Sequence, residues 1–209
     1  MELISKLNTR YATKAFDAAK KVSAADMDTL LEAIRLSASS YGLQPYKVIV
    51  VENPEIRQEL RGLAWGQSQI TDSSALLVFA ANTEINAEAV DQYISLVSET
   101  RGIPAEALGD FSGMMKGSLQ KMNAEQVETW VSKQAYIALG YGLVSAAVLG
   151  IDTCPMEGFS GPDFDKVLGL EKLGLKSKVV LAVGYRSSED QYQHMKKVRT
   201  KKEDFFINI

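Results

Sequence analysis

A single cysteine, Cys154, and a single histidine, His194, stand among the 209 residues. With one cysteine no internal disulfide can form, which fits a reducing compartment. One histidine and one cysteine, with no ligand-spaced acidic cluster beside them, leave no pattern for a metal centre, so none is expected. Nucleophilic triads lack their base: His194 lies in a polar stretch, where solvent exposure is expected, and no serine sits in a nucleophile-elbow motif. Long apolar runs are missing too. The most apolar stretch, Ala135 to Leu149, covers about 15 residues and holds Gly140 and Gly142, whereas a membrane-spanning helix needs roughly 20. The start, MELISKLNTRYATKAF, shows no apolar signal core or small-residue cleavage site, which leads to the expectation of a cytoplasmic protein. A net charge of −3 gives no reason to expect nucleic acid or an anionic membrane as partner.

What is present suits a globular chain: 46% hydrophobic and 23% charged residues. One domain over residues 1–209 is the default for this length. Ser23 followed by Asp26 resembles a capping box, and Met27, Leu30, Leu31 and Ile34 follow at helical spacing, so residues 24–37 are expected to be helical. Residues 39–45 carry the Ser, Gly and Pro of a loop. YKVIVVE (46–52) has the β-branched content of a strand, and Pro54 opens a short helix to about Leu63. ALLVFAA (75–81) is continuously apolar, as expected of a central strand covered on both faces. Residues 86–122 hold one or two helices, broken near Gly102-Ile103-Pro104. Asn123 with Gln126 caps a helix reaching Leu149 and ending at Gly150. Strands are expected at 152–156 and 177–185, with a helix after Pro162 between them.

The helix 124–149 changes character along its length. Its first half is amphipathic. Its second half, AYIALGYGLVSAAVLG, is apolar nearly all round, and such a helix is buried on every side. A chain this small cannot readily bury it alone, so a partner subunit is expected. GYG (140–142) follows no strand and lacks a third glycine, so it is expected to serve close helix packing rather than a dinucleotide. The apolar tail DFFINI also needs a cover.

Two groups of cations draw attention. RYATK sets Arg10 and Lys14 four apart, and KVR sets Lys197 and Arg199 near the end. Spacing alone does not separate an anion site from solvated surface charge. CPMEGF (154–159) combines a proline-fixed angle with a glycine where backbone can approach a ligand, or it is a plain strand end with a turn.

Taken in order, RYATKAFD, SASSYGLQPYKVIVV, QSQITDSSALLVF, WVSKQAYIALG, CPMEGF and KKVR resemble the FMN-dependent, NAD(P)H-using, oxygen-insensitive nitroreductase and flavin reductase family over nearly the whole chain. Each motif is short; their shared order makes the match specific. The resemblance implies an α+β nitroreductase-like fold, with a mostly antiparallel sheet flanked by helices, built as an intertwined homodimer. It implies FMN as cofactor, NAD(P)H as co-substrate, and nitroaromatics, quinones or flavins as acceptors reached by ping-pong hydride transfer through flavin N5. Other branches of the same fold remain as alternatives: an enone reductase, a dehalogenase, a flavin-destroying enzyme, or a flavin-binding protein without turnover.

Site residues carry over by position. Arg10, Lys197 and Arg199 match the phosphate-binding cations. Lys14 matches the residue at flavin N1 and the C2 carbonyl, and Tyr11 and Ala12 lie in the same motif. Pro155, Met156, Glu157 and Gly158 match the backbone against the ring, with the Glu157 N–H toward N5, which makes Lys14 and Glu157 the catalytic pair. Ser39 and Ser40 match a loop reaching the partner's flavin, and Gln134 matches a glutamine at that interface. Gly66 and Gln69 fall where relatives carry an asparagine and a second lysine. Relatives carry His at Tyr11 and Ser at Ala12, so these departures bear on substrate range and flavin potential. Met114 and Met115, within GDFSGMMKG, are expected beside the substrate channel.

Overall fold

The computed structural model describes residues 2–209. In chain order the elements are α1 (Glu2–Thr9), α2 (Ala24–Arg35), β1 (Tyr46–Val51), α3 (Pro54–Leu63), α4 (Gln69–Asp72) and β2 (Ala75–Asn82). Then come α5 (Ala87–Arg101), α6 (Gly109–Gln120), α7 (Ala124–Leu149), β3 (Asp152–Met156), α8 (Gly161–Val167), β4 (Leu175–Gly184) and α9 (Lys202–Phe205). Local chemistry accounts for the boundaries. The Ser23 hydroxyl accepts the Asp26 N–H to start α2. Asn53 caps α3, with Pro54 inside its first turn. At α7, Asn123 and Gln126 bond each other's backbone reciprocally, and Gly150, in the left-handed region at φ 75°, ends the helix.

The sheet runs β1-β2-β4-β3, and every pairing is antiparallel. The expectation of a mostly antiparallel sheet is thus met; among the described residues the one parallel pairing is an isolated bridge from Ala12 to Thr153. β2 is buried along nearly its whole length because both of its faces are covered. Alternation sorts its side chains. Leu77 and Phe79, with Leu181 and Val183 of β4, meet Leu30 and Ile34 of α2 and Ala135, Ala138 and Leu139 of α7. Leu76 and Val78, with Val180 and Ala182, meet Leu60 of α3, Ile70 of α4 and Phe164 of α8. Full burial of one such side chain stabilises by about 1.5–3 kcal/mol. Gly142 permits the α2–α7 approach: a Cβ there would lie 3.2 Å from Ile34 Cδ1. The packing role expected for GYG holds at this position.

A satellite cluster joins α5 and α6 through Val90, Ile94, Met115 and Leu119. This corrects the expectation for Met115, which is fully buried, while Met114 on the next step of the helix is 51% exposed. A 100° step per residue puts one methionine into the cluster and the other outside, so only Met114 is free to meet a ligand. α1 was not anticipated. It buries no side chain and is anchored at its end instead, where the Lys197 ammonium donates to the carbonyls of Leu7 and Arg10.

Candidate functional site

The segment after α1 runs across the ends of the two strands nearest it. The Thr13 N–H donates to Thr153 O at 3.1 Å, Asp17 N–H to Tyr185 O at 2.8 Å, and Ser187 N–H to Ala15 O at 2.9 Å. RYATK is thereby stitched between β3 and the chain leaving β4. This segment lines a cavity of about 630 Å³, together with Leu143, Pro155, Arg186, Tyr192, and Lys196, Lys197 and Arg199 of the basic stretch. Arg10, Tyr11, Ala12, Lys14, Pro155, Lys197 and Arg199 therefore share one wall, although about 190 residues of chain separate its two ends.

This cavity concentrates positive charge. Among the described residues, Arg10, Lys197 and Arg199 form no ion pair with a carboxylate. Burial, with Arg199 close by, holds Arg10 below the usual guanidinium value. Burial, then Arg10 and Arg199, pushes Lys197 down in the same way. The Arg10 Nε–H is buried with no hydrogen-bond partner in the chain. Like charges held together around an orphaned donor are what an anionic group would satisfy. A flavin phosphate fits that donor set, and the cavity is large enough for a cofactor-sized ligand.

Polar bonds support the cavity from behind. Arg186 is paired with Asp152 through its guanidinium and its own N–H (2.9 Å to Oδ2), and it lies 4.6 Å from the Tyr11 ring centre. Asp190 accepts the N–H groups of Lys14 at 2.7 Å, Ala15 at 3.1 Å and Tyr192 at 3.0 Å. Burial first, and the Asp190 carboxylate second, pushes the Tyr11 phenol's ionisation upward.

The model of the nitroreductase family matches residues 7–185. The chain belongs to the nitroreductase family. A Staphylococcus haemolyticus protein assigned as an NAD(P)H nitroreductase is 36% identical over 210 residues, covering 97% of this chain and 94% of its own. A Bacillus subtilis protein of the same assignment is 36% identical, covering 88% and 89%. Among solved structures, a nitroreductase assigned in Bacillus subtilis superposes with a TM-score of 0.86 at 20% identity, covering 100% of this chain and 99% of that one. A nitroreductase from Exiguobacterium sibiricum, solved in complex with FMN, reaches 0.84 at 21%, covering 100% and 98%. At that identity these two show the fold.

The remaining nitroreductase motif positions lie outside the basic cavity's lining. Met156 is buried in the core. Glu157 turns its carboxylate to α7, where the Tyr136 hydroxyl donates to it at 2.5 Å. Gly158 lies under an indole: a Cβ there would fall 2.4 Å from Trp65 Cζ3, and Gln67 Nε2–H donates to the Gly158 carbonyl at 2.8 Å. Close approach is thus required of Gly158 by Trp65 within the chain itself. Trp65 (φ 55°) and Gly66 (φ 71°) are both left-handed, and Trp65 is 76% exposed. Gln69 is buried at the start of α4. Ser39 and Ser40 sit on the loop before β1, where Gln134 Oε1 accepts the Ser40 N–H at 2.8 Å and Ser39 Oγ accepts the Gln44 N–H. Gln134 therefore holds the serine loop to α7. His194 is exposed, as expected.

Motif reading passed over Trp65, Tyr136, Asp152, Arg186 and Asp190. Trp65 precedes a glycine, the one local hint of a tight turn. The others act through partners distant in sequence, which no spacing reveals.

Proposed function

We propose that this protein is a cytoplasmic, homodimeric FMN oxidoreductase of one domain over residues 1–209, which uses NAD(P)H to reduce nitroaromatics, quinones or flavins in two separate half-reactions. The observation that carries the reading is the cluster of Arg10, Lys197 and Arg199, free of carboxylate partners and open to the cavity that also takes Lys14 and Pro155. Arg10 and Arg199 offer forked N–H donors to a phosphate. Lys197 commits two of its three donors to Leu7 O and Arg10 O, so it offers one. Bound FMN supplies hydride acceptance at N5 and hydride return to an oxidant. Lys14 presents a cation to the pyrimidine edge, which favours negative charge arriving there. The Glu157 N–H is assigned to N5, with Tyr136 holding the carboxylate of the same residue aside.

The dimer rests on α7. Tyr136, Ile137, Tyr141, Val144 and Val148 form one stripe, each 38–49% exposed in the single chain. Apolar stripes of this kind mark partner surfaces. Ser39, Ser40 and Gln134, held together beside α7, are assigned to the partner's flavin, and Gly66 and Gln69 to the pyrimidine side. The exposed tail side chains of Phe205, Phe206 and Ile207 are assigned to the same interface.

Anaerobic titration tests this reading. The purified yellow protein is expected to bleach on adding NADH or NADPH and to recover colour with a nitroaromatic or a quinone. Protein that takes up no FMN overturns the reading, and yellow protein that neither nicotinamide bleaches favours flavin binding without turnover.

A further inference from the structure

Among the described residues, Asp190 is the one carboxylate in the site that accepts hydrogen bonds from both the Lys14 segment and the C-terminal segment. It is only 2% exposed. Its Oδ2 accepts the N–H groups of Lys14 and Ala15, which lie 176 and 175 residues away in sequence. Its Oδ1 accepts the Tyr192 N–H and caps the turn Gln191–His194, from which the chain leads directly to Lys197 and Arg199. Asp190 therefore ties the Lys14 segment to the turn that leads to the other cations, beside the bonds from Lys197 to the carbonyls of Leu7 and Arg10. On one side hangs the lysine assigned to the flavin edge, and on the other hang the phosphate cations. A flavin mononucleotide carries its phosphate at the end of a ribityl chain, several bonds from the pyrimidine edge, so the spacing of their partners decides whether both are met at once.

Charge and geometry both require an aspartate. Three N–H donors converge on two oxygens. An asparagine would turn an NH2 group toward one of those donor sets, leaving donor facing donor in a buried place. Burial alone would raise the Asp190 carboxyl, but the N–H groups of Ala15, Lys14 and Tyr192 outweigh it and hold it below the ordinary carboxylate range.

We propose that Asp190 is the positioning residue of this site, setting Lys14 at the flavin edge in register with the Arg10, Lys197 and Arg199 phosphate pocket. The proposal rests on the assignment of Lys14 to the flavin edge. Two measurements test it, and the first needs no flavin. In the FMN-free protein, backbone hydrogen exchange at Lys14 and Ala15 is expected to quicken on Asp190→Asn while β2 and β4 keep their protection. Unchanged exchange at both amides overturns the proposal.

The second measurement is a double-mutant cycle on anaerobic reduction of the bound flavin, with FMN affinity read in parallel. Lys14→Met in the natural background is expected to slow reduction about a hundredfold, the cost of one well-placed electrostatic donor. In the Asp190→Asn background the same change is expected to cost less than about threefold, because residues acting as one unit do not add. FMN affinity of Asp190→Asn itself is expected to fall about tenfold or more, as the phosphate and edge partners no longer match one ligand. Equal costs of Lys14→Met in the two backgrounds overturn the proposal. If Lys14→Met changes nothing while FMN stays bound, the flavin-edge assignment fails instead, and the exchange result alone decides whether Asp190 holds the segment. Should Asp190→Asn not fold, Asp190→Glu, which keeps the charge and shifts it by one methylene, is put through both measurements with the same expectations.

Discussion

The basic cavity and the outer face of α7 are two halves of one proposed site, and they are finished to different degrees. At the cavity, both ends of the chain are tied down: Asp190 to Lys14 and Ala15, Lys197 to Leu7 and Arg10, Arg186 to Asp152. What is left over is charge without a counter-charge. Along α7 the opposite holds. Its polar side chains Glu128, Gln134 and Tyr136 are bonded to Lys178, Ser40 and Glu157, and what is left over is apolar surface from Tyr136 to Val148. One half lacks an anion, the other lacks a hydrophobic cover. The difference separates two kinds of incompleteness, one answered by a small ligand and one by a large partner surface.

The largest expected effect breaks the α7 side. Val144→Lys with Val148→Lys places two charges on a face that is open to water in a lone chain. In a buried interface each unpaired charge is costly, several kcal/mol by general experience. Sedimentation is expected to show monomers at micromolar concentration. Variants that stay dimeric with unchanged stability would mean that this stripe is not the interface.

The next effect addresses the cavity side. Lys197→Ala with Arg199→Ala removes the two cations proposed for the flavin phosphate, each such charge-assisted contact being worth about 1.5–3 kcal/mol. A hundredfold or greater loss in FMN affinity is expected by fluorescence titration, and an unchanged affinity would detach the phosphate from this cluster. Lys197→Ala also frees the Leu7 and Arg10 carbonyls, so the α1 end should exchange faster, whereas Arg199→Ala should leave it as it is.

Lys14→Met separates binding from reactivity within the cavity. The apolar stem remains and the charge goes. Flavin reduction is expected to slow by roughly a hundredfold, about 2.7–4 kcal/mol, with FMN still bound. Stopped-flow traces that match the natural protein would make Lys14 a bystander.

The smallest effect lies on α7, at the Tyr136–Glu157 hydrogen bond. Burial, then Glu157, pushes the Tyr136 phenol up from 10.0 to about 12. A phenol raised on folding contributes stability that is complete below its unfolded value and is lost as pH rises through the folded one. Denaturant midpoints should therefore decline between about pH 10 and 12 more steeply than those of Tyr136→Phe. Tyr136 is over a third exposed, so the difference should be small, and parallel curves would show that the pair contributes nothing.

The order and limits of the elements were legible in the chain. Asn123 with Gln126, Pro54 and Gly150 act through neighbours three or four residues away, and each set its helix end as expected. The continuous apolar run at 75–81 announced a strand covered on both faces, which β2 is. The ordered motifs were enough to name the nitroreductase family before any fold was visible. The two methionines show where this stops. Composition alone grouped Met114 with Met115, and one helical step parted them. Trp65 over Gly158, Gln134 on the serine loop, and Asp190 at the Lys14 backbone join residues 93, 94 and 176 positions apart. Local propensities and short motifs act over one turn or one strand, so the sequence by itself determined which segments fold and which family they form. Only the packed structure decided which side chain reaches across to which backbone group, because those bonds exist once the sheet has brought distant segments together.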